Sequence, residues 1–490
     1  MFRIVFGTEV FLVISVGLAK KITIGLLAVF LSVFLLGPGS SEASVLRPGI
    51  GKKPQTPTTW QKPSEHNNKN DNKQDNATEE RATWKKPQKN DDFIRVGLAS
   101  GVVQATISSV TGMHILGEAN KRDYGDFRSN VAAVLTVSDN VIAVNGKKSS
   151  STSLAFVPIS RESGTIIRYN GTEYRGEIVA RVIGDKLVIV NLISIEDYIK
   201  GVLPSEMSPS WNKEALKAQA VAARTYAIYT KNQKVHLGDG YDLCNATHCQ
   251  AYDGLSGEVT AASEAVDATK GQIMTYQGVP IYAPYHASSG GVTENSEDVW
   301  GNKLPYLRSV KDDDSKSPYH SWSVKFTAAQ VQKLLSSAGK NIGQLKNIAL
   351  ASPNGGASGT LSSGRIAGVR FEGTGQTITL SSQQVRQIFG LKSSYFTVRT
   401  QRRTAAVPTA KPNSNVKSNK TDVIDTPPAA MKDKELHVEN GNVEIIFDGH
   451  GFGHGLGMAQ YGAKAMADAG KKYDDILHHY YTDVEISKKD

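Results

Sequence analysis

The chain has 490 residues, 39% of them hydrophobic, and a formal net charge of +9. That length holds more than one domain of roughly 100–200 residues, and the low apolar share points to polar, unstructured segments beside the folded part. The positive balance suits either an anionic matrix or a solvated surface, and without a basic aromatic motif it excludes nucleic acid as the partner.

Residues 1–43 read as a targeting segment. Lys20-Lys21 precede the apolar run Ile22 to Leu36, Gly37-Pro38-Gly39 break it, and Ser41-Glu42-Ala43 supplies small residues for cleavage. This is the order of a signal peptide; an uncleaved membrane anchor is the alternative. Either reading places the body of the protein outside the cytoplasm. No cysteine follows the run, which argues against a lipoprotein. Residues 44–91 are rich in Lys, Asn, Gln, Pro and Thr and form a disordered polar linker. Within it Thr59-Trp60-Gln61-Lys62-Pro63 returns as Thr83-Trp84-Lys85-Lys86-Pro87.

From residue 92 the pattern becomes folded. Ile94–Leu98, Val131–Val137, Val141–Val144, Glu177–Ile183 and Lys186–Val190 alternate like strands, with Gly184-Asp185 as a hairpin turn. Leu203–Tyr229 then combines a proline-bounded turn, Pro204-Ser205-Glu206-Met207, with a long alanine-rich helix. Glu258–Ala268 reads as a helix, and Ile273–Tyr276 and Val279–Ala283 as strands. Thr327 caps a helix to Ser336, and Gly368–Phe371 and Thr377–Leu380 are strands. Ser382 is placed to cap a helix over Gln383–Phe389. A low-complexity insertion occupies 402–440, at little cost in loop entropy. The fold resumes over 441–490 with the strand Val443–Phe447, the helix Met458–Ala469 and a helical turn, Tyr473–Tyr481. The fold class expected is α+β: a β-rich mixed fold with a buried Ala-rich helix after the acidic turn, in two lobes around a cleft.

Four stretches carry chemistry. Glu206 is either a surface acid or an acid placed by Pro204 and Pro209. On the following helix Lys217 and Arg224 stand seven residues apart, about two turns, and share one face. In Tyr282–Gly301, His286 and Ser288 precede a Gly-Gly pair. No G-x-S-x-G elbow is present, so a polar binding cleft suits them better than a serine nucleophile. Glycine takes every second position from Gly449 to Gly457, with His450 and His454 between and Gln460 just beyond. Such a loop either binds an anion and aims a histidine at a substrate, or is a tight structural turn. Finally, Cys244, Cys249, His248 and His236 make a complete ligand set for a structural zinc. A Cys244–Cys249 disulfide and free thiols are the other readings.

Taken together, VLPSEMSPSWNKEALKAQAVAARTYA, DLCNATHCQAY, HASSGGVTENSEDVWG, LPYLRSV, SPYHSW and HGFGHGLGMAQYGA resemble the SpoIID/LytB family of sporulation lytic transglycosylases and amidase enhancers. The resemblance spans roughly Ile94 to Ile486 and is interrupted by the insertion. It implies cleavage of peptidoglycan glycan strands, those stripped of stem peptides preferred, to 1,6-anhydro-muramyl ends. Glu206 falls on the family's catalytic acid, and Lys217, Arg224 and Tyr319 on positions tied to substrate handling or activity. His286, Ser288, His454 and Gln460 complete the expected sugar-contacting set. Some members bind zinc at the cysteine region. The implied partners are peptidoglycan and, through the amidase enhancers of the family, a cell-wall amidase, with a membrane involved only if the N-terminal segment is uncleaved. One acid suffices for such chemistry, because the muramic C6 hydroxyl serves as nucleophile, whereas hydrolysis uses two carboxylates. Glu294, Glu297 and Asp298 are the candidates for a second. An amidase enhancer without activity of its own, and a zinc hydrolase with an open metal position, are the rival functions.

Overall fold

The computed structural model describes residues 93–119, 121–159, 166–351, 361, 363–402, 436–438 and 443–488. The targeting segment, the polar linker with its repeated tryptophan motif, and most of the insertion lie outside these residues. Among the described residues no helix is long and apolar enough to cross a membrane.

The β-rich α+β class is what the structure has. The N-terminal part is antiparallel. Phe93–Val102 pairs with Lys186–Ser194, which pairs with Glu177–Ile183 across the Gly184-Asp185 turn. These belong to a seven-stranded sheet, and Gln104–Ser109 with Ala133–Ser138 to a six-stranded one. Their alternating Ile, Val and Leu side chains fill one core with the helices that follow.

Helix α1, Ile195–Glu206, starts where Ser194 accepts the Asp197 amide, with Glu196 and Asp197 in its first turn. The sequence reading placed Glu206 on a turn before a helix; instead it is the last residue of one. Pro204 removes a backbone donor inside the final turn, and Met207 leaves the helix in extended conformation. Helix α2, Lys213–Gln233, is capped by Asn212. Ala215, Ala218, Ala220, Ala222, Ala223 and Ala227 are fully buried in it, so neighbouring elements approach its backbone closely. Those neighbours include α1, α3 (Thr260–Ala268), the strand Gln272–Tyr276 and the two C-terminal helices Gln460–Asp468 and Tyr473–Tyr480.

Arg224 fixes this arrangement. Its guanidinium donates to both Glu196 oxygens at 2.9 and 2.7 Å and to the Gln272 and Val266 carbonyls. It is 1% exposed. The short α4 (Ser296–Trp300) follows, and then a second core. There α5 (Ala328–Ser337) and α6 (Ser382–Phe389) pack on a three-stranded and a four-stranded sheet. Thr327 caps α5 as expected; α6 is capped by Ser381, one residue before the expected Ser382. Leu436–His437, assigned by sequence to the insertion, pairs with Leu345–Leu350 and belongs to the fold. The chain returns to the first core through Val443–His450, α7 (Gln460–Asp468) and α8 (Tyr473–Tyr480).

Methionine at position 224 would keep the stem but strand Glu196 without its partner. Arg224→Met is therefore expected to lower the unfolding free energy by about 3 kcal/mol, read as a lower urea midpoint. An unchanged midpoint would remove Arg224 from this structural role.

Candidate functional site

The end of α1 is gathered in by three distant segments. The Glu206 carboxyl accepts the Ala251 amide at 3.2 Å and the Tyr285 hydroxyl. The Glu206 carbonyl accepts Gln460 Nε2 at 2.9 Å, and Gln460 also meets Gln219 of α2 at 3.3 Å. Gln250 donates to the Tyr285 hydroxyl at 3.1 Å and to the Ala223 carbonyl, and accepts from Tyr198. A parallel pairing of Tyr285–His286 with Met458–Ala459 brings Tyr285 and Gln460 together.

Burial pushes the Glu206 carboxyl above the usual carboxylate range, and the Ala251 and Tyr285 donors offset this in part. Its place at the negative end of a helix acts in the same direction as burial. Among the described residues no cation pairs with it. Other buried or half-buried glutamates do have one: Glu196 with Arg224, Glu214 with Lys217, Glu258 with Arg175, Glu294 with Arg365, Glu297 with Arg308. A carboxyl raised by burial and met only by uncharged donors keeps its proton to higher pH than a free one, which favours general acid/base work.

The cysteine segment hangs on the edge of the seven-stranded sheet, where Leu243–Cys244 pairs in parallel with Val96–Gly97. Asp242 locks it there by gripping Arg95, with an oxygen 2.6 Å from Nη2. Both cysteines are free thiols. His236, Cys244, His248 and Cys249 present ligand atoms within 4.8 Å of one another. The S···N separations are 3.4 Å (Cys249–His236), 3.5 Å (Cys249–His248) and 3.7 Å (Cys244–His248). A tetrahedron with bonds of 2.0–2.3 Å has edges of about 3.5 Å, so the donor set fits zinc. His236 Nδ1 faces Asp239 at 2.8 Å, which turns Nε2 toward the sulfurs as an outer-shell carboxylate does. Gln250 and Ala251, which serve Glu206, follow directly on Cys249.

The expected sugar-contacting residues divide. Arg224 is interior and spent on Glu196, and Lys217 is paired with Glu214 at 2.9 Å and lies over Tyr473. They do share a face, but Gln219, which accepts from the Gln460 side chain that holds the Glu206 carbonyl, lies about 140–160° away around the helix. Ser288 is 2% exposed and bonded to Asp314. Gln460 is buried and holds the Glu206 backbone. His286 is buried with Nδ1 on the Leu456 carbonyl at 3.0 Å, and its Nε2 has no partner among the described residues. Burial drives His286 down and holds His454 at about 4, so both rings are neutral. His454 is half-buried between His286 and Trp300. Tyr319 remains at the surface, between Phe452 and Tyr461. Of the further carboxylates, Glu294 is 1% exposed and Glu297 is held down to about 2 by Arg308. Asp298 accepts from Asn295 at 3.2 Å.

Over Gly451–Gly453 the Gly-His run is a clasp and not an anion nest. The amides of Gly451, Phe452 and Gly453 are spent on the carbonyls of Tyr319, Ser288 and Lys392, at 2.9, 2.7 and 2.9 Å. Gly453 has φ 117°, and a Cβ there would sit 2.6 Å from His286 Cβ, so glycine is required. Sequence reading missed Tyr285 and Gln250. Their only signal was adjacency, Tyr285 to His286 and Gln250 to Cys249.

Comparison with known proteins bears on the same region. A profile of the SpoIID family, described as Stage II sporulation protein, matches residues 184–276, which hold α1, α2 and the cysteine cluster. An uncharacterized protein of Brachyspira hyodysenteriae is 30% identical over 399 residues, 81% of this chain and 93% of its own length. The amidase enhancer of Bacillus subtilis is 31% identical over 315 residues, 59% of this chain but 40% of its own length. The stage II sporulation protein D of Bacillus subtilis is 31% identical over 315 residues, 61% of this chain and 76% of its own length. With that share of a sporulation protein aligned around the Glu206 helix pair, the chain belongs to the SpoIID family.

Proposed function

We propose that this protein is an exported peptidoglycan lytic transglycosylase, acting in the cell envelope on glycan strands freed of stem peptides. The observation that carries the reading is Glu206: a carboxyl at a helix end, raised by burial, hydrogen-bonded by Ala251 and Tyr285 and paired with no cation among the described residues. Family membership and relatives named for sporulation and amidase enhancement support a cell-wall role.

Protonated Glu206 donates to the oxygen linking muramic acid C1 to the next sugar, and the C1–O bond breaks with that oxygen leaving as a hydroxyl. The muramic C6 hydroxyl closes on C1, and its proton returns to the Glu206 carboxylate. No water is consumed and one carboxyl serves both steps. Tyr285 and the Ala251 amide steady the carboxylate between them, and Gln250 orients Tyr285. His236, Cys244, His248 and Cys249 would hold a structural zinc, which when bound closes the loop that carries Gln250 and Ala251. Four protein ligands leave no position for a metal-bound water.

Digestion of peptide-free strands is expected to give anhydro-muramyl ends by mass spectrometry, with Glu206→Gln lowering the rate by roughly 10²–10⁴. Reducing ends would indicate hydrolysis instead. Uncut glycan with faster turnover by an added amidase would favour an enhancer.

Glu206 must be protonated to start the reaction, so activity falls as pH rises through its pKa. Tyr285 favours the carboxylate, and Tyr285→Phe should move the alkaline limb and the Glu206 ¹³C titration to higher pH. A shift downward would mean that Tyr285 does not hydrogen-bond the carboxylate.

Metal analysis should find about one zinc per chain, absent in the Cys249→Ser variant. Its loss should speed amide exchange at Ala251. Full protection of that amide without metal would detach the cluster from the site.

A further inference from the structure

Four aromatic rings are arranged in a row from the loop after Glu206 to the Gly-His clasp. Trp211 and Tyr461 have centroids 4.8 Å apart, Tyr461 and Tyr319 6.1 Å, and Tyr319 and Phe452 4.9 Å. Successive planes are inclined at 61°, 81° and 64°, so the rings meet edge to face. None is buried, and Phe452 is 39% exposed, the one aromatic among the nine exposed large hydrophobics of the described residues.

The row is built and not incidental. Gly451 and Gly453 donate their amides to the carbonyls of Tyr319 and Lys392, which fixes Tyr319, Phe452 and Lys392 against one another. Lys392 Nζ lies 5.4 Å above the Tyr319 ring. No carboxylate among the described residues pairs with it. At the other end Lys464 lies 6.0 Å from the Trp211 ring and pairs with Asp468. The row also adjoins the acid. Gln460, which holds the Glu206 carbonyl, precedes Tyr461 directly, and Trp211 lies five residues after Glu206.

We propose that Trp211, Tyr461, Tyr319 and Phe452 form the track on which the glycan strand lies, with Lys392 reading the lactyl carboxylate of a muramic acid unit. This rests on the transglycosylase reading and specifies its substrate. The C–H face of a pyranose carries partial positive charge and seats on the negative face of an aromatic ring. A row of half-exposed rings continuous with the acid therefore matches a run of sugars, not a single one. Muramic acid adds one anion per unit where the stem peptide has been removed. An attached peptide turns that carboxylate into an amide and cancels its attraction to Lys392. The row supplies affinity for the sugar faces, and the lysine supplies preference for stripped strands.

The test uses Glu206→Gln protein, which holds a strand without turning it over, titrated with peptide-free glycan chains. Adding Phe452→Ala should raise Kd roughly tenfold with the melting temperature unchanged. Adding Lys392→Ala should weaken binding of chains with free lactyl carboxylates only. Chains whose carboxylates have been converted to amides should bind alike with and without Lys392. Unaltered binding in Phe452→Ala overturns the track. Equal losses for both kinds of chain in Lys392→Ala overturn the charge reading. Product analysis of the Glu206 protein on the same chains separates the two hypotheses. Binding through the row without anhydro ends would leave the track standing and remove the chemistry; no binding at all would remove both.

Discussion

The bidentate contact between Arg224 and Glu196 sets the angle between α1 and α2, and the site depends on it. Glu206 lies ten residues beyond Glu196 on the same helix, about 15 Å along the axis, so a small tilt at the pair becomes a large displacement at the acid. Burying a charge pair costs desolvation that contact between opposite charges repays only with good geometry. Here the geometry is good: the Gln272 and Val266 carbonyls take two more guanidinium N–H groups, and the Gly271 amide donates to a Glu196 oxygen at 3.0 Å. The alanines of α2 make this possible, since bulkier side chains would hold α1 and α3 too far away for one arginine to reach both.

Glu206 occupies the opposite electrostatic situation. Glu196 is satisfied by a full charge, whereas Glu206 receives only an amide and a hydroxyl in a site that disfavours its ionised form. The native state therefore retains its proton to higher pH than the unfolded chain does. Between the ordinary carboxylate value and the raised one, stability falls as pH rises. That loss is the expected companion of a proton-transfer site, and the dense packing around α2 is what can bear it. The donors come from segments that follow Glu206 by 45, 79 and 254 residues, at Ala251, Tyr285 and Gln460. The acid is in place only when the whole first core has formed.

Much of this was legible in the sequence because it rested on local rules. The alternating strands, the hairpin at Gly184-Asp185, the Thr327 cap and the buried alanine helix are each written in a few adjacent residues. So was the clustering of His236, Cys244, His248 and Cys249, whose ligand atoms the fold brings within 4.8 Å of one another. What could not be read was direction. The Lys217–Arg224 spacing correctly put both on one face, but nothing in it said that the face looks at Glu196 and Tyr473 and not at a ligand. Pro204 suggested a turn, and only the tertiary contacts of α1 reveal a helix that carries the proline in its final turn. Leu436–Val438 follows a run of polar and proline residues, and its strand exists because Leu345–Leu350 offers an edge.

The Gly-His run shows how a motif can stand out in sequence for a reason other than the first one suggested. Alternating glycines before a helix invite a ligand on the backbone amides, yet the Gly451, Phe452 and Gly453 amides are occupied by the carbonyls of Tyr319, Ser288 and Lys392. The glycines are needed because the strand passes against the His286–Ser288 backbone, with Trp322 lying on Gly449 and donating to the Gly451 carbonyl at 2.9 Å. This is where the chain returns from the second core to the first. The clasp therefore transmits the placement of the second core to Phe452, Tyr319 and Lys392 on one side and to Gln460 on the other. A single backbone segment aligns the aromatic row with the acid, and side chains alone, free to choose rotamers, would not hold that alignment.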